Sequence, residues 1–87
     1  MNDKHRRILK RVREDLVEDM DPGVILLSMS AAEVFSEDDE EMIKVERTRR
    51  LQCERLLEIL PRRGARAYDS FKKALQKVHP QIGRTHV

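Results

Sequence analysis

The chain has no tryptophan, one tyrosine and two phenylalanines in 87 residues. A core built from it must be aliphatic. That disfavours a β-sandwich, which draws on aromatic and β-branched residues, and favours helices packed on helices. Glycine and proline are equally scarce, at three each. Few turns are available, so the elements between them are long. There is one cysteine, Cys53, so no intrachain disulfide is possible, which fits a reducing cytosol or nucleus; a cytoplasmic location is expected. No apolar run approaches the roughly 20 residues that span a bilayer, and no association with a membrane is expected. The N-terminal Met1-Asn2-Asp3-Lys4-His5-Arg6-Arg7 has no apolar stretch of the kind a secretory leader needs. At this length the chain makes one small domain, which buries only roughly 60% of the surface of its unfolded form.

Charge is abundant. Charged residues are 39% of the chain, yet the net charge is +2. They are segregated: residues 1–20 sum to +1, residues 21–46 to −7 and residues 47–87 to +8. Such a chain carries surfaces of opposite sign unless folding interleaves them.

Helical periodicity organises the whole length. Ile8, Leu9, Val12, Leu16 and Met20 fall within about 120° of arc at 100° per residue, which predicts a first helix from Asn2 or Asp3 to about Met20. Asp21-Pro22 is a helix start, because Asp21 can accept from orphan N–H groups and proline loses nothing at the first helical position. The second helix carries Val24, Ile25, Leu26, Leu27 and Met29 and runs to about Ala32. Val34 and Phe35 plug the connection. Ser36 caps a third helix with Glu37, Asp38 and Asp39 in its first turn and Met42, Ile43 and Val45 as its apolar side. Thr48 caps a fourth, with a core stripe of Leu51, Leu56, Leu57 and Leu60 and with Cys53 and Ile59 beside it. Pro61 stops it. Gly64 allows a tight turn. A fifth helix buries Ala67, Tyr68, Phe71, Ala74 and Leu75, and Pro80 stops it or starts another element.

Sites for chemistry are absent from this pattern. His5, His79 and His86 lie near the two ends without metal-like spacing to one another or to Cys53, and are expected to be exposed. Cys53 reads as a small buried hydrophobe, since a nucleophilic thiolate needs an activating base. The run Glu37-Asp38-Asp39-Glu40-Glu41 lacks the alternating ligands and central glycine of a calcium loop. No glycine-rich phosphate loop occurs, and no cofactor is expected. Arg47, Arg49, Arg50, Arg55, Arg62, Arg63 and Arg66 could contact phosphates. Nucleic-acid binding would normally bring a helix-turn-helix or stacking aromatics as well, so it ranks below protein recognition.

One stretch is distinctive. Leu56-Leu57-Glu58-Ile59-Leu60-Pro61-Arg62-Arg63-Gly64-Ala65-Arg66-Ala67-Tyr68-Asp69-Ser70-Phe71 joins two amphipathic helices through a short basic turn. It resembles the fourth-to-fifth helix segment of caspase recruitment domains (CARDs). The resemblance extends over nearly the whole chain: Asp3 to Met20 is similar to the first helix of CARD prodomains in initiator caspases, most of all the one recruited by the apoptosome. Ala32 to Asp38 is similar to the second-to-third helix connection, and Arg49-Arg50-Leu51-Gln52 to the start of the fourth helix. Glu54 stands where the apoptosome caspase has a further basic residue.

The resemblance implies a compact antiparallel six-helix bundle, the death fold with Greek-key topology, over residues 1–80. Residues 81–87 would form a short or frayed end, too short for a full sixth helix. It also implies a non-enzymatic module that binds another CARD, on an apoptotic scaffold or adaptor, and clusters an attached caspase. An adaptor or decoy CARD without a protease is the alternative. The implied basic docking side is Lys10, Arg11, Arg13 and Arg50. The implied acidic side is Glu33, Asp38, Glu40 and Glu41. A chain with both sides can associate head to tail with itself.

Overall fold

In the computed structural model, which describes residues 2–64 and 66–81, local capping chemistry sets every helix start but the last. Asn2 accepts from the His5 N–H and opens α1, Asp3–Asp19. Asp21 accepts from the Gly23 and Val24 N–H groups and opens α2, Pro22–Ser30, with proline in the first turn. Ser36 opens α3, Glu37–Lys44, through a reciprocal box: its hydroxyl accepts from the Asp39 N–H, and the Asp39 carboxylate accepts from the Ser36 N–H. Thr48 accepts from the Leu51 N–H and opens α4, Arg49–Ile59. These side chains satisfy amides that have no partner inside their own helix. Helix α4 runs into a 3-10 turn at Leu60–Arg62 that carries Pro61. Gly64 follows with φ of +36°, a left-handed backbone suited to glycine. Helix α5, Ala67–Val78, then completes the bundle.

Helix α4 lies at the centre and packs on α1, α2 and α3, while α5 packs on α2. Helices α1 and α4 are antiparallel. Arg6, near the start of α1, donates to the Pro61 carbonyl beyond the end of α4, and Arg49, at the start of α4, donates to carbonyls at the end of α1. The core joins Leu9, Val12, Leu16, Val17 and Met20 to Ile25, Leu26, Met29, Ile43, Cys53, Leu56, Leu57, Leu60, Phe71 and Leu75.

Several apolar assignments need correcting. Leu51 is 41% exposed, and Cys53 is wholly buried in its place. Leu51 lies roughly 160° round the helix from Cys53, so it cannot share the stripe of Leu56, Leu57 and Leu60. Helix α2 buries only Ile25, Leu26 and Met29 of its large side chains, leaving Val24 and Leu27 outside. Of the apolar side expected for α3 only Ile43 is buried; Met42 and Val45 face outward. Val17, off the expected arc of α1, is buried because the α4 side of that helix is covered as well. The described residues hold five α-helices and no strand. The sixth helix of the expected bundle is not among them. Pro80 and Gln81 return to helical backbone after His79, and the expected end at 82–87 lies outside the described residues.

Candidate functional site: two charged surfaces

The four basic residues expected at a docking side are all exposed. Of these, Arg50 reaches across from α4 to α1. Glu14, on the α4 side of α1, lies 3.5 Å from the Arg50 guanidinium. Lys10 is one turn before Glu14 on the same face, and Arg13 adjoins it. Arg11 and Arg13 lie roughly 60° and 100° round α1 from Glu14, on its two sides. Arg50 is flanked on its other side by Glu54, at 3.7 Å. Glu54 therefore neutralises part of the charge of Arg50.

The neighbouring α4 arginines are committed to the fold. Arg49 donates to the Val17 and Met20 carbonyls, each at 2.9 Å, and so closes the C-terminal end of α1. A cation at that end also opposes the negative pole of the helix dipole. Arg55 bridges Glu46 at 3.0 Å and Glu58 at 3.4 Å. The exposed Leu51 shares a small depression with Glu46, Glu54, Arg55 and Glu58.

The acidic residues divide in two. Asp38, Glu40 and Glu41 lie on α3 with Glu37, and Asp38 and Glu41 are a helical neighbour pair. Glu37, Glu40 and Glu41 line an open depression with Lys44 and Val45. A second depression joins Glu40 and Lys44 to Leu27 of α2. Leu27 and Val45 are 76% and 73% exposed, so aliphatic side chains flank the carboxylate ridge on both sides. Large exposed aliphatics beside polar groups are a mark of protein interaction sites. Among the described residues, none of Glu37, Asp38, Glu40 and Glu41 forms an ion pair. Glu33 is not part of this ridge. Its φ of +53° is left-handed, and it lines a separate groove with Val34, Arg62, Arg63 and Arg66.

Asp39, absent from the expected acidic side, is the buried member of the acidic run. It accepts from the Arg63 guanidinium at 2.7 Å, and its side chain is 6% exposed. Burial alone would raise its carboxyl. The Ser36 N–H, the Arg63 guanidinium and the Ser36 hydroxyl together outweigh that and hold it below the usual carboxylate value. The helical phase of Asp39, on the Ile43 side of α3, was the available signal for its burial.

His5, His79 and Cys53 serve packing. His5 stacks on Tyr68, with ring centroids 3.8 Å apart and planes 10° from parallel. His79 Nε2 accepts from the Asp21 N–H at 3.0 Å. Both histidines hold α-helix ends together, contrary to the expectation of exposed termini; His86 lies outside the described residues. The Cys53 thiol donates to the Met20 carbonyl. Burial pushes its pKa up despite the nearby Arg49, which keeps it a thiol. Among the described residues, no group of three or more His, Cys, Asp or Glu side chains could hold a metal, and no helix is long and apolar enough to cross a membrane.

Helical surfaces of opposite sign are suited to orienting and steering a protein partner. The family model of the caspase recruitment domain matches residues 6–84. The chain belongs to this family. A CARD is an interaction module, not a catalyst, and CARDs bind other CARD or death-fold proteins in death-domain signalling. The all-helical bundle fits the death fold of CARDs. No curated protein matches this CARD.

Proposed function

We propose that this CARD recruits and clusters an initiator caspase on an apoptotic signalling scaffold in the cytoplasm, with the apoptosome scaffold or an adaptor CARD as partner. The observation that supports it is the separation of an unpaired carboxylate ridge on α3 from the basic α1–α4 seam, in a chain that the CARD family covers from residue 6 to 84. The proposed docking residues are Lys10, Arg11, Arg13 and Arg50 on the basic side and Asp38, Glu40 and Glu41 on the acidic side, with Glu33 apart from the ridge in the groove beside Arg62, Arg63 and Arg66. Nothing in the CARD itself reacts. Docking raises the local concentration of attached protease domains, and their proximity activates them. Complementary charge orients and speeds the encounter more than it adds net affinity.

One observation favours the adaptor or decoy reading. Glu54 occupies the position of a basic residue in the apoptosome caspase and pairs with Arg50, so this seam is less positive than that partner's recognition would use. Titration against an apoptosome-scaffold CARD separates the readings. Arg13→Glu should cost several kcal/mol of binding and leave thermal stability almost unchanged, since an exposed charge contributes little to folding. Binding should weaken with salt, as the screening length falls from about 10 Å at 0.1 M to about 3 Å at 1 M. Equal affinity of wild type and Arg13→Glu, independent of salt, would remove the seam from the interface.

A further inference from the structure

The connection from α2 to α3 ends in an exposed serine, Ser36, whose backbone is extended, with φ of −75° and ψ of 169°. Five carboxylates follow it without a break, Glu37, Asp38, Asp39, Glu40 and Glu41. The other described serines and threonines lack this setting. Ser28 and Ser30 have only Glu33 within their next five residues, and Thr48 and Ser70 are followed by basic residues. Kinases discriminate among hydroxyls largely by the charge pattern beside them, so a run of this sign selects a kinase with a basic substrate cleft. The segment can reach such a cleft. Residues 31–36 hold no helix. Helix α3 has eight residues, and in its first turn only Asp39 is buried. An element with so few buried apolar contacts opens locally at low cost.

The folded site also has a receiver for a phosphoryl group. One Asp39 oxygen accepts from the Ser36 N–H at 3.0 Å, and the other accepts from the Arg63 guanidinium at 2.7 Å. Ser36 and Arg63 are therefore joined through a single carboxylate. The Nε–H of Arg63 is buried and has no hydrogen-bond partner among the described residues. A buried donor left without an acceptor is costly, more so on a charged group. Arg63 also lines a groove with Arg62 and Arg66 and with Ala32, Glu33 and Val34, the residues just before Ser36 in the chain. Neither Arg62 nor Arg66 has an ion pair or a side-chain hydrogen bond among the described residues. Against the one carboxylate of Glu33, the groove sets these two unpaired guanidiniums and Arg63.

We propose that Ser36 is a phosphorylation site for a protein kinase directed by acidic residues, and that Arg63 holds the phosphoryl group once it is attached. In the transfer, the Ser36 Oγ attacks the γ-phosphorus of ATP. The Oγ–P bond forms as the bond to the β,γ-bridging oxygen breaks. ADP leaves with that electron pair, and the hydroxyl proton passes to the base of the kinase. The product carries about −1.5 to −2 charge at pH 7 and three strong acceptor oxygens. It stands at the N-terminal end of α3, where the backbone N–H groups favour an anion. A phosphoryl oxygen takes over the Asp39 N–H that the hydroxyl now caps, and the Arg63 Nε–H gains the acceptor it lacks. The neighbouring carboxylates oppose the added charge, and the guanidinium offsets them. The inference is independent of which partner the CARD binds.

Treating the whole chain with an acidophilic serine kinase and Mg·ATP, followed by peptide mass mapping, tests the site. One phosphoryl group should appear on Ser36. Ser36→Asp keeps a side-chain cap for α3 and should lose that label. Phosphorus NMR tests the receiver. A phosphoserine has its second ionisation near about pH 6. In the folded chain it should fall by roughly half a pH unit or more below its value in the same phosphorylated chain unfolded in urea, because a guanidinium favours the dianion. The Arg63 Nε–H signal should shift on phosphorylation, a readout that needs no substitution. Arg63→Gln should cancel most of the fall, with circular dichroism confirming that it is folded. No label on Ser36, or label confined to other hydroxyls, would overturn the proposal. So would a phosphoserine that titrates alike in the folded and unfolded chain, or an Arg63 signal that does not move.

Discussion

Helix α3 carries five carboxylates and helix α4 three arginines, and the molecule uses the two sets differently. On α4, Arg49 closes the end of α1 through two carbonyls, Arg50 lies between Glu14 and Glu54, and Arg55 bridges Glu46 and Glu58. On α3, only Asp39 is bound into the fold, while Glu37, Asp38 and Glu41 are exposed and Glu40 is half-buried. Charge density along a sequence therefore does not measure charge available for docking. An arginine with internal partners stabilises the bundle. A carboxylate without them leaves a field for another molecule to meet.

The sharpest way to break this contrast is at Arg49. If it is a structural residue, Arg49→Ala should cost about 1.5–3 kcal/mol, the value of hydrogen bonds from a charged donor, as read by urea denaturation. An unchanged midpoint would show that Arg49 is not a structural residue. Asp39→Asn should cost less, about 1–2 kcal/mol, because the capping geometry survives while the ion pair to Arg63 is lost. It should also change the pH profile. The folded-state pKa of Asp39 lies below its ordinary value of 3.8. Its contribution is therefore complete above that value and is lost as pH falls below it through the folded pKa. Thermal melts from pH 5 to pH 2 should show a shallower loss in Asp39→Asn than in wild type; parallel curves would exclude Asp39 from acid unfolding. The smallest effect belongs to the ridge. Changing Glu37, Asp38, Glu40 and Glu41 singly to their amides should shift stability by less than about 0.5 kcal/mol each. A larger loss in any of them would place that carboxylate inside the fold with Asp39.

The cap residues Asn2, Asp21, Ser36 and Thr48 were legible because a helix start is a local problem solved by one or two side chains. The core of α5 was legible too: Ala67, Tyr68, Phe71, Ala74 and Leu75 are its buried residues. Helix α4 was misread where residue type was weighed above phase. Leu51 is apolar but lies opposite Cys53, and Arg49 is charged but lies on the Cys53 and Leu56 face, which turns it toward α1. For α2 no phase could be read, since Val24, Ile25, Leu26 and Leu27 are apolar all round; only packing against α4 and α5 decides that Leu27 stays outside. The divided acidic run was half legible, because Asp39 shares the Ile43 side of α3. Its partner Arg63, 24 residues away, was not, since no local pattern links them. Proposed docking positions were reachable only by resemblance.

The single thiol has a consequence for how motion within this bundle can be followed. Cys53 lies wholly buried under Met20, where α1 ends and Arg49 holds the seam. A reagent reaches its sulfur only after α1 parts locally from α4. In the limit of fast reclosing, its labelling rate is the intrinsic thiol rate scaled by the population of that open form. The chain thus carries a native clock for the breathing of the α1–α4 seam.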